Sequence, residues 1–336
     1  MVRDYKQEAY NQSVINAQHG AIHPVLTCAR LTRKCNIKCD YCSEIYVPTG
    51  PDLDFDDWKL VFDIVYNLGN RDFVITGGEP LLKRYVADLV AYTASRDSFV
   101  SIATNGYLLG QDSLSKLDSA GLDFLCISID YMEGYGKREF GKKLSQKMKL
   151  ILKRISERDY GFETQISTVV TRHNMDELPE MVAYFSSLGI PTKLMIMMVN
   201  DINQEATKNL YLKDETEKIK ELSHTLQKMK REGALLIDDD FALERLTQFF
   251  SGKFTYNCNG GVFDLSLNND GRLVVCPNGV ISPTTIFDLT AKEEYERFIA
   301  RSKPFTDNCP GCLWSHKQRL EEIVTKRASK NIEIYL

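Results

Sequence analysis

No apolar run in this sequence is long enough to cross a bilayer: the longest, Leu194 to Val199, falls far short of the ~20 residues a spanning helix needs. A basic flank followed by an apolar segment and a small-residue cleavage site is also missing, since MVRDYKQEAYNQSVINAQ is polar throughout. There is no surplus of positive charge: 42 Lys and Arg stand against 46 Asp and Glu, for a net charge of −4, which disfavours nucleic acid as a partner. Histidine is scarce, and the five present (His19, His23, His173, His224 and His316) show no metal-ligand spacing. No low-complexity tract interrupts the chain. These absences leave a soluble, cytoplasmic, globular protein as the expectation, with neither membrane nor nucleic acid as partner. At 336 residues, and roughly 150 residues per domain, about two domains are expected.

Cysteine, by contrast, is plentiful. Nine cysteines in a reducing compartment do not read as disulfides, and their clustering points to metal binding or catalysis. Three of them, Cys35, Cys39 and Cys42, crowd into LTRKCNIKCDYCSE. A structural zinc ion is normally closed by four ligands, and no fourth thiol or His lies nearby in sequence. A cubane 4Fe-4S cluster takes one thiolate per iron, so three protein ligands leave one iron open to bind something else.

From Val25 onward, short β-rich runs alternate with longer amphipathic ones. PVLTCARL, DFVITGG, SFVSIATNG, LDFLCISID, FETQISTVV and TKLMIMMV read as strands. Between them lie DFDDWKLVFDIVYNLG, LLKRYVADLVAYTASR, DSLSKLDSAG, KKLSQKMKLILKRISERDYG and DELPEMVAYFSSLG, with apolar residues at helical spacing. The alternation predicts an α/β fold, a partial (β/α)6 barrel with a parallel sheet. Reactive groups in such folds sit at the C-terminal ends of the strands, where the thiol loop lies. A charged helix spans about Asp214 to Glu232, and FDLSLNNDGRLVVCPNG then reads as a hairpin turning at Asn269, Asp270 and Gly271. The predicted organisation is an N-terminal extension over 1–24, the barrel over 25–213, a helical linker over 214–253 and a small α+β iron-sulfur module over 254–336.

CNIKCDYC resembles the CxxxCx(aromatic)C signature of the radical S-adenosylmethionine (SAM) superfamily, and the resemblance spans residues 25 to about 200. It implies that the open iron is chelated by the amino and carboxylate groups of SAM. One electron from the reduced cluster then cleaves the sulfonium, and the 5'-deoxyadenosyl radical removes a hydrogen atom from the substrate. By the same resemblance, Gly77, Gly78, Glu79 and Pro80 of TGGEP form the element that receives the methionine amino group. Ser128 and Asp130 of CISID resemble the ribose-hydroxyl ligands, and share a face by the period of two. Thr104 and Asn105 close the third strand facing the cofactor, although Asn-Gly is also a common turn. In KREFGK, Arg138 is the candidate for the SAM carboxylate, a bidentate task that suits guanidinium. Its neighbours Lys137, Lys142 and Lys143 allow a solvated basic face as the alternative. Tyr41 is expected to pack near the adenine.

A second thiol set follows: Cys258, Cys276, and Cys309 with Cys312 in CPGC. CxxC and a hairpin would suit a zinc ribbon, but the first pair is too widely split. The arrangement C-x12-G-x4-C followed by CxxC resembles the start of the SPASM domain or its shortened twitch form, which implies one auxiliary 4Fe-4S cluster with all its irons held by protein. Such a cluster would serve as an electron relay or a structural staple, and Trp314 is expected to pack over it. The cofactors expected are therefore SAM and two 4Fe-4S clusters, with a flavodoxin or ferredoxin type electron donor. Cys28 and Cys126 read as small buried hydrophobes. Cys126 could instead return a hydrogen atom to a substrate radical, although its place near the start of the strand, deeper than Ser128, argues against that.

For the reaction, the expectation is oxidation of a small polar intermediate such as a sugar or aminocyclitol. Many peptide-modifying relatives carry an N-terminal recognition domain of several strands, whereas only the polar residues 1–24 precede the first strand here. Radical epimerisation or cross-linking of a ribosomally made peptide is the alternative. A non-catalytic iron-sulfur or zinc protein would require the TGGEP and SID matches to be coincidental.

Overall fold

The computed structural model describes residues 26–42, 44, 49–132, 142–197, 212, 215–251, 261, 264–276, 280–289 and 292–307. Residues 1–24, Lys137, Arg138, Cys258, Cys309, Cys312 and Trp314 lie outside them, and of Cys276 only the backbone is described. The six predicted strands are present as β1 (Leu26–Arg30), β2 (Asp72–Thr76), β3 (Phe99–Thr104), β4 (Phe124–Ser128), β7 (Glu163–Val170) and β8 (Thr192–Ile196). Between β4 and β7 a small two-stranded sheet pairs β5 (Tyr131–Met132) with β6 (Lys143–Leu144). The helices of the β/α units are α1 (Phe55–Asn67), α2 (Val86–Ala94), α3 (Gln111–Ser119), α4 (Gln146–Glu157) and α5 (Leu178–Ser187). They are followed by α6 (Thr216–Arg231) and α7 (Asp240–Phe250), then β9 (Asp264–Leu267), β10 (Arg272–Cys276), β11 (Val280–Thr285) and α8 (Lys292–Asp307).

The nine-stranded sheet runs in the order β11-β10-β9-β1-β2-β3-β4-β7-β8 and is not closed into a barrel. It is parallel from β9 to β8, while β10 and β11 turn back antiparallel. The C-terminal hairpin therefore continues the main sheet on the far side of β1. Its turn is the one predicted: Gly271 adopts φ +78° and its N–H returns to the Asn268 carbonyl at 2.9 Å.

Helix boundaries follow local chemistry. At the start of α1 the Asp54 carboxylate accepts from Asp57 N (2.9 Å) and that of Asp57 from Asp54 N (3.2 Å), a reciprocal cap. Trp58, Val61, Phe62 and Val65 then form its buried stripe. The sequence pattern carries the fourth helix back to Lys142, but α4 begins at Gln146. Ser145 caps it, accepting from Met148 N at 3.2 Å, and Lys143 and Leu144 are instead drawn into β6.

The two faces of the sheet differ. Ile75, Ile102, Leu125, Ile127, Ile166 and Leu194 are buried with Trp58, Leu89, Leu117, Leu152 and Phe185 of the helices in one core. The opposite face, with Thr76, Ala103, Cys126, Ser128, Gln165, Ser167 and Lys193, is half-exposed. This alternation is the period-two signature of a sheet with one face packed on the helices and the other less covered. Among the described residues no helix is long and apolar enough to cross a membrane.

At the opposite end of the strands from the thiol loop, Asp72 is 2% exposed, and burial together with the nearby Asp123 charge pushes its carboxyl up to about 8. The unfolded chain releases that proton near pH ~3.9, so ionisation costs the folded state progressively more from about pH 4 up to about pH 8, and no more beyond. Asp72→Asn removes this penalty. The melting temperature gained by the variant over the native chain is expected to be negligible near pH 4 and to grow to a plateau by pH 8. A gain independent of pH would show that Asp72 is ionised in the fold.

Candidate active site

The thiol loop leaves the end of β1 and is held from its first residues by the end of β2. Leu31 N donates to Thr76 O (2.9 Å), Gly78 N to Thr32 O (2.7 Å) and Glu79 N to Lys34 O (2.8 Å). This close approach explains the double glycine. A Cβ on Gly77, whose φ is +142°, would fall well inside contact distance of Thr32 O, and one on Gly78 would do the same at Lys34 O. TGGEP is thus a surface against which the thiol loop backbone lies.

Glu79 follows the glycines, is fully buried, and ties three segments together. Its Oε1 accepts from Thr104 Oγ1 (2.7 Å) and Leu81 N (3.0 Å), and its Oε2 from Asn105 N (2.8 Å). Burial raises its carboxyl above the ordinary range despite these donors. Asn105 in turn reaches the thiol loop: its Nδ2 donates to Asn36 Oδ1 at 2.8 Å and lies 3.5 Å from Cys35 Sγ. The structure therefore brings Gly77, Gly78, Glu79, Thr104 and Asn105 together beside the first thiol.

Asp130 and Tyr41 meet on the other flank. Tyr41 Oη donates to Asp130 Oδ2 (2.5 Å), Val169 N to Asp130 Oδ1 (2.9 Å), and Asn174 Nδ2 to the Asp130 carbonyl (2.8 Å). The buried carboxylate thus engages a protein donor through each oxygen. Ser128, two residues earlier, is half-exposed on the less covered face, as is Cys126. Cys126 lies in the middle of β4 rather than deep at its start, and its Sγ accepts from Gln165 Nε2 at 3.6 Å. Burial raises its thiol pKa.

Lys142, grouped by sequence with a solvated basic face, lies within the site. Its Nζ is 5.7 Å from the centroid of the Tyr41 ring. The charges of Asp130, Cys39, Cys42 and Cys126 raise its pKa although burial works the other way. No periodicity marks this lysine, because it sits in the connection entering β6. Its carbonyl accepts from Asp130 N (2.7 Å) and Tyr131 N (3.2 Å), which fixes it over the end of β4.

The donor set suits a cluster better than a single ion. Cys35, Cys39 and Cys42 are thiols outside any disulfide, and Cys42 N returns to Cys39 O at 3.0 Å. Burial pushes the Cys39 thiol up to about 12, with Lys142 opposing the shift, so a metal must displace its proton. Three thiols with no fourth ligand nearby in sequence are the donor set of a cubane in which each thiolate goes to its own iron and one iron is left open.

The Radical SAM superfamily model matches residues 30–213. The chain is 31% identical over 169 residues to PqqA peptide cyclase of Gluconobacter oxydans, covering 49% of this chain and 47% of that protein. It is 23% identical over 317 residues to AdoMet-dependent heme synthase of Nitratidesulfovibrio vulgaris, covering 85% and 84%. Among solved structures, Streptococcus suis SuiB bound to S-adenosylmethionine superposes with a TM-score of 0.66 at 16% identity, over 84% of this chain and 68% of that one. The chain thus spans a little under half the length of the PqqA cyclase it matches.

Gly78→Ala drives a Cβ into the Lys34 backbone and is expected to cost about 1–3 kcal/mol of stability or to displace the thiol loop, lowering the iron retained after anaerobic reconstitution. Gly110→Ala is the control, because a Cβ there meets nothing within 4 Å. Equal melting temperature and iron content in both variants would show that the thiol loop does not depend on this contact.

Proposed function

Because the chain belongs to the radical SAM superfamily, we propose that it binds SAM at the open iron of a 4Fe-4S cluster on Cys35, Cys39 and Cys42 and uses the resulting radical chemistry to modify a peptide. When bound, cluster and SAM supply reductive cleavage and a 5'-deoxyadenosyl radical. The protein's residues bind and orient. Glu79, locked by three donors, keeps the ends of β2 and β3 at fixed spacing beside Cys35. The half-exposed Ser128 hydroxyl is suited to a ribose hydroxyl, while Asp130 holds Tyr41 against the end of β4. Lys142 supplies the cation for the methionine carboxylate, the task that the resemblance gives to Arg138. Cys126, half-exposed on β4, is proposed to face the substrate.

The substrate class rests on one observation, the similarity to PqqA peptide cyclases. The sugar or aminocyclitol favoured on sequence grounds has no support from that quarter, so the alternative becomes the main reading. The second thiol set, Cys258, Cys276, Cys309 and Cys312, is proposed to hold an auxiliary cluster. β10 runs from the Gly271 turn down to Cys276, about 16 Å at ~3.3 Å per residue. A cluster held by these four thiols would supply an electron relay or a structural staple. A flavodoxin or ferredoxin type protein would deliver the initiating electron.

Anaerobic reconstitution is expected to give about eight irons per chain if both clusters form, and about four if only the first does. With SAM and a reductant the protein is expected to release 5'-deoxyadenosine, and Cys35→Ala, Cys39→Ala and Cys42→Ala combined to abolish it. Unchanged cleavage in that variant refutes the chemistry. Peptides should accelerate deoxyadenosine release and lose two hydrogens, or take up solvent deuterium if epimerised. Acceleration by aminocyclitols or sugars and not by peptides would return the small-molecule reading.

A further inference from the structure

We propose that the tip of the β9–β10 hairpin is a positioning element for the thiol loop, in which Asn268 holds Arg33 and Arg33 closes the loop. Arg33 lies two residues before Cys35, and its NH1 pairs with the carboxylate of Glu44, two residues after Cys42. The ion pair therefore spans the segment bearing all three thiols. Arg30 reinforces it, with Nε 3.2 Å from Glu44 Oε2. The other edge of the Arg33 guanidinium is held from a distant part of the chain: Nε donates to Asn268 Oδ1 at 2.7 Å, and NH2 donates to the same oxygen.

Asn268 is itself fixed. It is fully buried, and its Nδ2 donates to Asp270 Oδ1 at 2.9 Å. Asp270 Oδ2 accepts from Arg272 Nε (2.8 Å) and Gly50 N (2.9 Å). The neighbouring Asn269 donates to Asp52 Oδ1 (2.7 Å), and Asp52 Oδ2 accepts from Thr32 Oγ1 (2.7 Å) and Lys83 Nζ (2.7 Å). Leu53 N completes the frame on Asn269 O at 2.8 Å.

A hairpin that only extended the sheet would need nothing beyond its ladder with β1. Here Asn268, Asn269 and Asp270 all reach, directly or through one residue, the limb carrying the thiols or the segment that leads into α1. A guanidinium whose side chain is 10% exposed has an orientation dictated by such partners, because leaving its donors unpaired costs more than pairing them returns. The spacing between Cys35 and Cys42 is therefore set jointly by the local ion pair and by a residue more than 200 positions later. Asn268 acts through Arg33 and touches no thiol, so it is a positioning residue.

The test begins with cluster-free, full-length protein, so that it stands whether or not the proposed chemistry is right. In Asn268→Ala, amide hydrogen exchange over residues 34–42 is expected to quicken about tenfold, with β2 to β4 unchanged. Thr285→Ala, which removes a contact to Asp288 elsewhere in the same module, should leave 34–42 as in the native chain. After reconstitution, the SAM-dependent change in the electron paramagnetic resonance spectrum of the reduced cluster should need about ten times more SAM in Asn268→Ala. Arg33→Lys keeps the charge and loses the fork, and is expected to show the same defect, with the double variant no worse than either single one. Unchanged exchange over 34–42 in Asn268→Ala, or losses that multiply in the double variant, would overturn the proposal. Should Asn268→Ala not fold, Arg33→Lys carries the same two measurements with the hairpin intact.

Discussion

Backbone lies directly on backbone where the second strand leaves the sheet, and the site is built outward from that contact. Gly77 and Gly78 let the β2 end sit against Thr32 and Lys34, and two hydrogen bonds use the proximity. With the thiol loop pinned there, Glu79 falls into the position where it can collect donors from the end of β3. Asn105 then touches the loop again from the other side. A side chain on either glycine would move the loop, and with it the first thiol, the β3 end and the network between them.

The same economy governs charge. Three carboxylates near the thiols, Glu79, Asp130 and Glu44, are each engaged by protein donors, so none competes with the cysteines for a metal. Lys142 sits among the thiols, and its charge opposes the upward shift that burial imposes on Cys39. A cationic residue close to Cys39 and Cys42 favours their ionisation when iron arrives.

What the sequence made legible was whatever repeats or is local. Strand and helix alternation gave the six β/α units because each has its own periodicity, and Asn269, Asp270 and Gly271 gave the hairpin because turn chemistry needs only neighbours. The thiol loop and the strand-end motifs were found by resemblance, and the structure brings together those that it describes. In sequence Lys142 reads as part of a solvated basic face, because its placement comes from β5 pairing with β6, which no pattern announces. The binding of Asp130 to Tyr41 and Val169, and of Arg33 to Asn268, joins residues far apart in sequence, and a single sequence carries no mark of such pairs. Cys126 lies two residues deeper in β4 than Ser128, as the sequence order requires.

The parallel pairing of β9 with β1 bears on how the chain is made. Among the described residues, Leu26 to Ala29 are the first strand residues to be synthesised, and their partners Asp264 to Leu267 are among the last. Until the ribosome has released the hairpin, β1 presents an unpaired edge along LTCAR, a buried segment in the finished protein. A nascent barrel would therefore carry an adhesive edge for most of its synthesis, next to the loop that must later take up iron. Cells expressing this chain quickly would be expected to lose it to strand-edge association before any cofactor is inserted, so slow translation and early chaperone cover should matter more to yield than iron supply.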